Sequence, residues 1–348
     1  MKHTHLHTRL LALLLCCALV LPLSACGEAK STTQQIFAMD TVMDLTAYGK
    51  KADDGINAAI SIINSMDTLL DPENERSKTY EINHAMGSPV VVNEQITKML
   101  RTALTVYERT NGAFDLTTYP LSKLWGFIDQ NYRVPSDAEI ERLLPCVDMR
   151  KVQLAATDDS ANSLVTMPAD MALSFGAVAK GCASDYAIQA MRAAGVTSGV
   201  VSLGGNVQTL GKKPDGSDWN IAIQDPNDTG SYLGYLTVGE TAVITSGSYQ
   251  RYFTEGGQKY HHILSPTTGR PVNNGLLAVT IVCEDGTLAD CLSTAMFVLG
   301  PQAALNYWRT YGGFEMLLVK TDGHVVLTNG LYGQFTPNGD SYVVDYAS

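Results

Sequence analysis

The segment LSFGAVAKGCASDYAIQAMRAAGVTSGVVSLGGNVQTLG, residues 173–211, joins three different patterns. A glycine turn that contains a lysine comes first, at 176–181. Apolar residues at helical spacing follow over 178–194, and Gly195 is placed to end that helix. The β-branched run at 199–203 predicts a strand, and the Gly204-Gly205 pair after it permits close approach of a ligand or of another backbone.

The flanking sequence also shows helical and strand-like patterns, and it contains no internal repeat. Helices and hairpin strands alternate irregularly, which predicts an α+β fold with mixed, largely antiparallel sheets and packed helices. Helical spacing, or a Ser-x-x-Glu capping box in the third case, predicts helices at 53–70, 93–110, 136–144, 287–299 and 302–311. Alternation and β-branched runs predict strands at 36–48, 219–224, 236–245, 260–264, 277–283, 314–320, 324–328 and 342–346.

The N-terminus has the pattern of an exported lipoprotein. Lys2 and Arg9 precede an almost unbroken apolar run at 10–21, and the tripeptide Leu-Ser-Ala then precedes Cys26. The run is shorter than a membrane span and is typical of a signal peptide. A short membrane anchor with an incidental cysteine is the alternative.

From this pattern we expect a signal peptide at 1–25, a tether at 26–34 and a catalytic or binding unit at 35–348, either one domain or two interleaved subdomains. The net charge is −11 at pH 7, and the predicted signal peptide carries two basic residues and no acidic one. Nucleic-acid binding needs clustered Lys and Arg, so no nucleic-acid partner is expected. An acyl chain on Cys26 would attach the protein to the outer face of the cytoplasmic membrane.

Asp290 and Thr294 lie four residues apart on a predicted helix, with Ser293 beside them. At this spacing the two side chains share one face, with Cβ atoms about 5–6 Å apart. Their oxygens could bind one Mg²⁺ ion, whose remaining ligands would be water, carbonyl or phosphate oxygens. The spacing alone favours the alternative, in which the Asp caps the first turn of the helix and the Thr bonds back to a carbonyl.

Two further stretches carry possible chemistry. The turn at 176–181 opens a helix whose free N–H groups, together with Lys180, would suit a phosphate; a plain glycine turn with a solvated lysine is the alternative. His261 and His262 follow each other in a predicted strand, so one faces inward and one outward. A histidine beside a metal could accept a proton from an attacking hydroxyl, although one core and one exposed histidine would give the same pattern.

Five segments, in this order, resemble the FAD:protein FMN transferases, the ApbE-type flavin transferases. The resemblance extends from about residue 36 to residue 312. The segments are Ala38-Met39-Asp40-Thr41; Gly112-Ala113-Phe114-Asp115 with Pro120-Leu121 and Leu124-Trp125-Gly126; 176–181; Thr245-Ser246-Gly247 with Tyr249; and His262-Ile263-Leu264 with Thr268-Gly269 and the stretch 288–295.

The resemblance implies a role for particular residues. It makes His262 the candidate base and implies catalysis through Asp290. The implied Mg²⁺ ligands are the carbonyl oxygen of Ala177 and the side chains of Asp290 and Thr294, with Ser293 adjacent. The implied contacts with FAD are Met39, Ala113, Phe114, Asp115, Ser174, Lys180 and Leu264.

The implied activity is Mg²⁺-dependent transfer of FMN from FAD to a threonine hydroxyl of a flavoprotein, with release of AMP. Acceptors would be exported or membrane flavoproteins of redox pumps. Two alternatives use the same residues: FAD pyrophosphatase activity, in which water replaces threonine, and a flavin-binding lipoprotein without turnover. The sequence departs from the family at Ser174, Asn206 and Ser265, where acidic residues are common, and at Leu70, near which an aromatic residue is expected.

Overall fold

A computed structural model describes residues 30–159 and 161–347. The predicted signal peptide, Cys26 and the first part of the tether lie outside these residues. The helices are α1 (Ala52–Leu70), α2 (Lys78–Asn83), α3 (Glu94–Arg109), α4 (Tyr119–Leu124), α5 (Asp137–Leu143), α6 (Ala179–Ala193), α7 (Gly286–Leu299) and α8 (Pro301–Tyr311). No helix within the described ranges is long and apolar enough to span a membrane.

Strands β1 to β17 are interspersed with these helices along the chain. In chain order they are Ser31–Ala38, Thr41–Tyr48, Val90–Val92, Gln153–Ala156, Ser163–Thr166, Gly199–Leu203, Asn206–Leu210, Trp219–Gln224, Tyr232–Val238, Ala242–Gly247, Tyr252–Glu255, Gln258–His261, Leu276–Cys283, Glu315–Lys320, His324–Thr328, Phe335–Pro337 and Val343–Ala347.

One large sheet organises the molecule, in the order β1-β2-β6-β7-β10-β13-β14-β15-β17. All its neighbouring strands are antiparallel except the parallel pair β15 and β17. Three smaller sheets, β16-β9-β8, β3-β5-β4 and the hairpin β11-β12, are attached to it. The α+β prediction, with largely antiparallel sheets, is confirmed.

The two faces of the large sheet are covered differently. Alternate residues of a strand point to opposite faces, so Ile244 belongs to the apolar cluster that also contains residues of α1, α3, α6 and α7, whereas Val243 belongs to the cluster of the small sheet β16-β9-β8. A third apolar cluster surrounds Trp125 and includes Leu264. The hairpin β11-β12 rests on this cluster through Phe253 and Tyr260.

Two strand predictions are wrong. The stretch 36–48 is a hairpin rather than one strand, because Met39 and Asp40 form its turn with φ of 49° and 58°. Such a turn is usually signalled by Asn-Gly or Asp-Gly, and the stretch 36–48 contains neither pair. The stretch 236–245 is also divided, because the chain leaves the small sheet after Val238 and enters the large sheet at Ala242.

Candidate active site

Helices α6 and α7 meet through a buried carboxylate. The side chain of Asp290 is 4% exposed, and its two oxygens accept different hydrogen bonds. The backbone N–H of Gly181 donates to Oδ2 at 2.8 Å, and the amide of Asn206 on β7 donates to Oδ1 at 3.0 Å. Asp290 is therefore oriented by a helix and a strand outside its own helix, which is not the behaviour of a helix cap.

Close packing of the two helices makes this contact possible. A Cβ atom on Gly181 would overlap the carbonyl oxygen of Gly286 and would lie 2.6 Å from Cβ of Asp290. Only glycine at this position lets the backbone of α6 approach α7 so closely. Gly181, the last residue of the predicted phosphate-binding turn, thus has a packing role that the sequence pattern did not indicate.

A group of hydroxyls lies on the same side of α7. Ser246, at the end of β10, has its Oγ 2.8 Å from Oγ of Ser293 and 3.2 Å from Oγ1 of Thr294. Ser293 is fully buried and bonds the carbonyl oxygen of Asp290 at 2.9 Å, whereas Thr294 is half-buried. The structure therefore brings Thr294 to the site edge and adds Ser246 to the predicted set.

The available oxygens fit Mg²⁺. Among residues 30–159 and 161–347 there is no group of three or more His, Cys, Asp or Glu side chains that could hold a metal ion. Mg²⁺ does not require such a group, since it commonly binds one or two carboxylates and completes its shell with water and substrate phosphates. Asp290 and Thr294 could supply two ligands, and Ala177, one turn before Gly181, carries the implied carbonyl.

The start of α6 is rich in positive potential. Lys180 forms no hydrogen bond or ion pair with any described residue, and neither does the guanidinium of Arg251. A helix N-terminus adds partial positive charge, although the N–H groups of Ala179 and Gly181 at this end are bonded to Phe175 O and to Asp290. The charge of the Lys180 side chain and the helix end suit an anionic ligand such as a pyrophosphate.

The two neighbouring histidines have different roles. His261 is buried, and both ring nitrogens are used: Nε2 bonds the carbonyl oxygen of Val272 at 2.8 Å, and Nδ1 accepts from Ile263 N–H at 3.2 Å. His262 is half-buried, with Nδ1 3.2 Å from the carbonyl oxygen of Arg251. A carbonyl only accepts, so Nδ1 carries the proton and Nε2 keeps a lone pair.

The surroundings of His262 keep its imidazole neutral. Burial lowers the pKa of His262 well below its usual 6.5, and the charge of Arg251 lowers it further. The charge of Lys180 acts in the same direction, which places the N-terminus of α6 close to this histidine. A neutral ring with a free Nε2 is the form that a general base requires.

Several of the predicted FAD contacts have partners within the protein. Met39 lies in the β1-β2 turn, and its N–H donates to Asp67 at 2.8 Å. The segment 113–115 follows α3; there Phe114 is buried, and Asp115 accepts from Thr117 and from the N–H of Met149. Burial raises the pKa of Asp115. Ala113, half-buried, offers mainly its backbone to a ligand.

Ser174 and Leu264 lie in different parts of the fold. The N–H of Ser174 donates to Leu116 O at 3.1 Å, which joins the 113–118 segment to the loop before α6. Its Oγ accepts from Gly176 N–H at 3.2 Å, so the hydroxyl supports the turn. Leu264 is buried in the cluster around Trp125.

Besides Ser246, sequence reasoning missed two polar residues in this region, Arg251 and Asp185. Arg251 precedes His262, which its carbonyl oxygen contacts, by eleven residues. No spacing pattern in the sequence indicates that the two residues meet. Asp185 carried a usable signal, because it lies four residues after Gly181 and three before Ile188, on the apolar face of α6. A carboxylate on such a face requires partners.

The fold and the site together define an α+β protein whose buried carboxylate, neighbouring hydroxyls and lysine could bind a phosphate-bearing ligand. The chain belongs to the ApbE family, whose model matches residues 39–318. The resemblance drawn from the five segments is thereby confirmed.

Relatives of known name agree with this assignment. The FAD:protein FMN transferase of Treponema pallidum is 29% identical over 326 residues, covering 88% of this chain and 90% of that protein. The enzyme of the same name from Klebsiella pneumoniae is 31% identical over 285 residues, covering 81% and 87%. The crystal structure of an ApbE protein from Thermotoga maritima matches with a TM-score of 0.81 and 30% identity, over 88% of this chain and 100% of that one.

Proposed function

We propose that this protein is a Mg²⁺-dependent FAD:protein FMN transferase that labels a threonine hydroxyl of an exported or membrane flavoprotein and releases AMP. The observation that carries the proposal is the convergence of three groups. These are the oriented carboxylate of Asp290, the unpaired cation of Lys180 at the start of α6, and the neutral ring of His262. Membership of the ApbE family and the names of the relatives support the flavin-transfer part.

The reaction is a phosphoryl-group displacement. The threonine oxygen forms a bond to the FMN phosphorus of FAD, the P–O bond to the AMP phosphate breaks, and AMP leaves with the electron pair. His262 accepts the threonine proton on Nε2, since Nδ1 is engaged with Arg251 O. The product is an FMN–threonine phosphoester.

Charge neutralisation is the other requirement of such a displacement. When bound, Mg²⁺ would neutralise the pyrophosphate and the departing AMP phosphate. Asp290 and Thr294 would hold the ion. Ser246, which is itself bonded to Ser293, would fix the position of the Thr294 hydroxyl. Lys180 would provide a positive charge that no hydrogen bond or ion pair with a described side chain engages.

We also propose that the enzyme acts at the outer face of the cytoplasmic membrane, attached through acylated Cys26. The basic, apolar and small-residue order before this cysteine supports the proposal. In cells that process lipoproteins, the wild-type protein should sediment with membranes, and Cys26→Ser should release it or leave it uncleaved. Identical fractionation and processing of the two forms would contradict the anchor.

The activity is tested by incubating the purified protein with FAD, Mg²⁺ and an acceptor flavoprotein domain, and measuring both intact mass and AMP. We expect covalent FMN on the acceptor, one AMP per label, and no label after Asp290→Asn. Glu315→Gln is a matched control, since Glu315 also accepts bonds from a hydroxyl and a backbone N–H, but on β14.

The two alternative activities give different results in the same experiment. AMP and free FMN without labelled acceptor would indicate a pyrophosphatase. Tight FAD binding without AMP would indicate a flavin-binding lipoprotein. Either result would replace the transferase proposal.

A further inference from the structure

A second buried carboxylate, that of Asp185 on α6, also joins α6 to α7. Its partners on α7 lie about one helical turn before Asp290. Asp185 is 5% exposed, and it accepts hydrogen bonds from the first residues of α7. Gly286 N–H donates at 2.8 Å, Thr287 N–H at 3.0 Å and the Thr287 hydroxyl at 2.6 Å. The carboxylate therefore binds the N-terminus of α7, where the helix dipole favours negative charge.

Two more donors from other elements complete the contacts of Asp185. Lys98 on α3 donates from Nζ at 2.7 Å and also lies 3.4 Å from Asp285, the residue that caps α7. Gln208 on β7 donates from Nε2 at 3.1 Å. Gln208 is two residues beyond Asn206, so one face of β7 contacts both Asp185 and Asp290.

These contacts fix the register of α6 against α7 at two points. On α6, Gly181 and Asp185 are one turn apart, and on α7, Thr287 and Asp290 are nearly one turn apart. Gly181 bonds Asp290, and Asp185 bonds Thr287. A shift of one helix along the other would break both contacts, and Asp290 would move relative to the start of α6.

Stability alone explains this arrangement poorly. The desolvation of a buried ion pair can exceed its Coulombic gain, whereas buried polar groups are best attested as devices that set register. Side chains of both helices, among them Cys182, Ala183, Cys291 and Leu292, also belong to the main apolar core, so further apolar packing at position 185 would hold the helices together.

We propose that Asp185, held by Lys98, is a positioning residue for the Mg²⁺ site: it sets the register that presents Asp290 and Thr294 to the ion. This inference rests on the proposed function, because it concerns the same metal. Asp185 itself touches neither the substrate nor the ion, and it acts through the N-terminus of α7.

The test measures Mn²⁺ affinity, as a Mg²⁺ substitute, by the electron paramagnetic resonance signal of free Mn²⁺. Each protein is titrated with FAD present, and a protein-free FAD titration is subtracted. The variants are Asp185→Asn, Lys98→Met, Asp290→Asn and the control Glu315→Gln. Circular dichroism and a denaturation curve establish that each is folded at the temperature used.

We expect Asp185→Asn to raise the Kd for Mn²⁺ about 10- to 100-fold, the range typical for residues that orient metal ligands. Lys98→Met should raise it less, because four of the five contacts to Asp185 remain. Glu315→Gln should leave it unchanged. Lys98 is 29% exposed in its side chain, so this variant serves the test even if Asp185→Asn does not fold.

A Kd within twofold of wild type for folded Asp185→Asn and Lys98→Met, with Mn²⁺ binding lost in Asp290→Asn, would overturn the role of Asp185 and leave the proposed function intact. If wild type bound no Mn²⁺, or Asp290→Asn bound it equally well, the metal site itself would be wrong. Both proposals would then fail together.

Discussion

The two faces of the large sheet are held by different physical means. On one face, α6 and α7 are joined by hydrogen-bonded carboxylates, Asp185 and Asp290, and by a glycine that permits backbone contact. On the other face, the small sheet β16-β9-β8 packs through apolar side chains such as Trp219 and Leu236.

Because of this difference, one set of contacts positions the site residues and the other mainly stabilises the fold. Apolar contacts are non-directional and contribute in proportion to buried area, so the small sheet stabilises the fold and tolerates small shifts. Charge-assisted hydrogen bonds are directional, so the α6-α7 contact fixes where particular oxygens lie. Substitutions on the two faces should therefore affect transfer and stability in different proportions.

The largest effect on transfer is expected for Asp290→Ala. A bound metal supplies several kcal/mol of transition-state stabilisation, so the rate of acceptor labelling should fall by about 10³-fold or more. The loss also leaves Gly181 N–H and the Asn206 amide without their partner, which should cost about 1–3 kcal/mol of unfolding free energy. Rate assays and urea denaturation measure the two effects. A rate within tenfold of wild type would contradict the metal-binding role.

A smaller loss is expected for His262→Asn, about 10²-fold, within the range for removal of a general base. FAD affinity should change little, because the histidine is assigned to proton transfer. The pKa of His262 is lowered in the folded protein, so its neutral form persists below pH 6.5 and is lost only as the pH falls through the lowered value. The wild-type rate should therefore show no titration near pH 6.5. A sharp fall there would contradict the assigned environment.

The smallest effect on transfer is expected for Leu236→Ala, on the far face of the sheet. Leu236 is fully buried, and its truncation should lower the unfolding free energy by about 2–5 kcal/mol. The labelling rate of the folded variant should remain within twofold of wild type. A much larger loss of rate would mean that the two faces are coupled.

The sequence predicted helices better than it predicted the site. Helix α3 follows from its apolar spacing and from Asn93, whose side chain caps it through Ile96 N–H. Local patterns of this kind need no knowledge of distant residues. The β1-β2 turn was missed, because Met39 adopts a left-handed conformation that its residue type does not favour, and the left-handed Asp40 is not followed by a glycine.

The polar contacts of the site join residues far apart in the chain. Gly181 and Asp290 are separated by 109 positions, and Asp185 and Thr287 by 102. Spacing on one helix could place Asp290 and Thr294 on one face, but it could not show which backbone that face meets. The family resemblance supplied candidate residues, and the structure added Ser246 and Asp185.

The most direct test of the comparison uses two glycines in similar steric surroundings. In the α6-α7 contact, a Cβ on Gly181 would overlap Gly286 O. On the other face, a Cβ on Gly234 of β9 would overlap Thr336 O and lie 2.7 Å from Cζ of Phe335. The measurement is the labelling rate and the unfolding free energy of Gly181→Ala and Gly234→Ala, side by side.

Both variants should lose about 1–3 kcal/mol of stability, the usual cost of overpacking. Only Gly181→Ala should lower the rate of acceptor labelling, by about tenfold or more. The reason is that the backbone displaced in this variant contains the N–H group that donates a hydrogen bond to Asp290. Equal losses of transfer in the two variants, or an unchanged rate in folded Gly181→Ala, would contradict the view that the α6-α7 contact positions the active site.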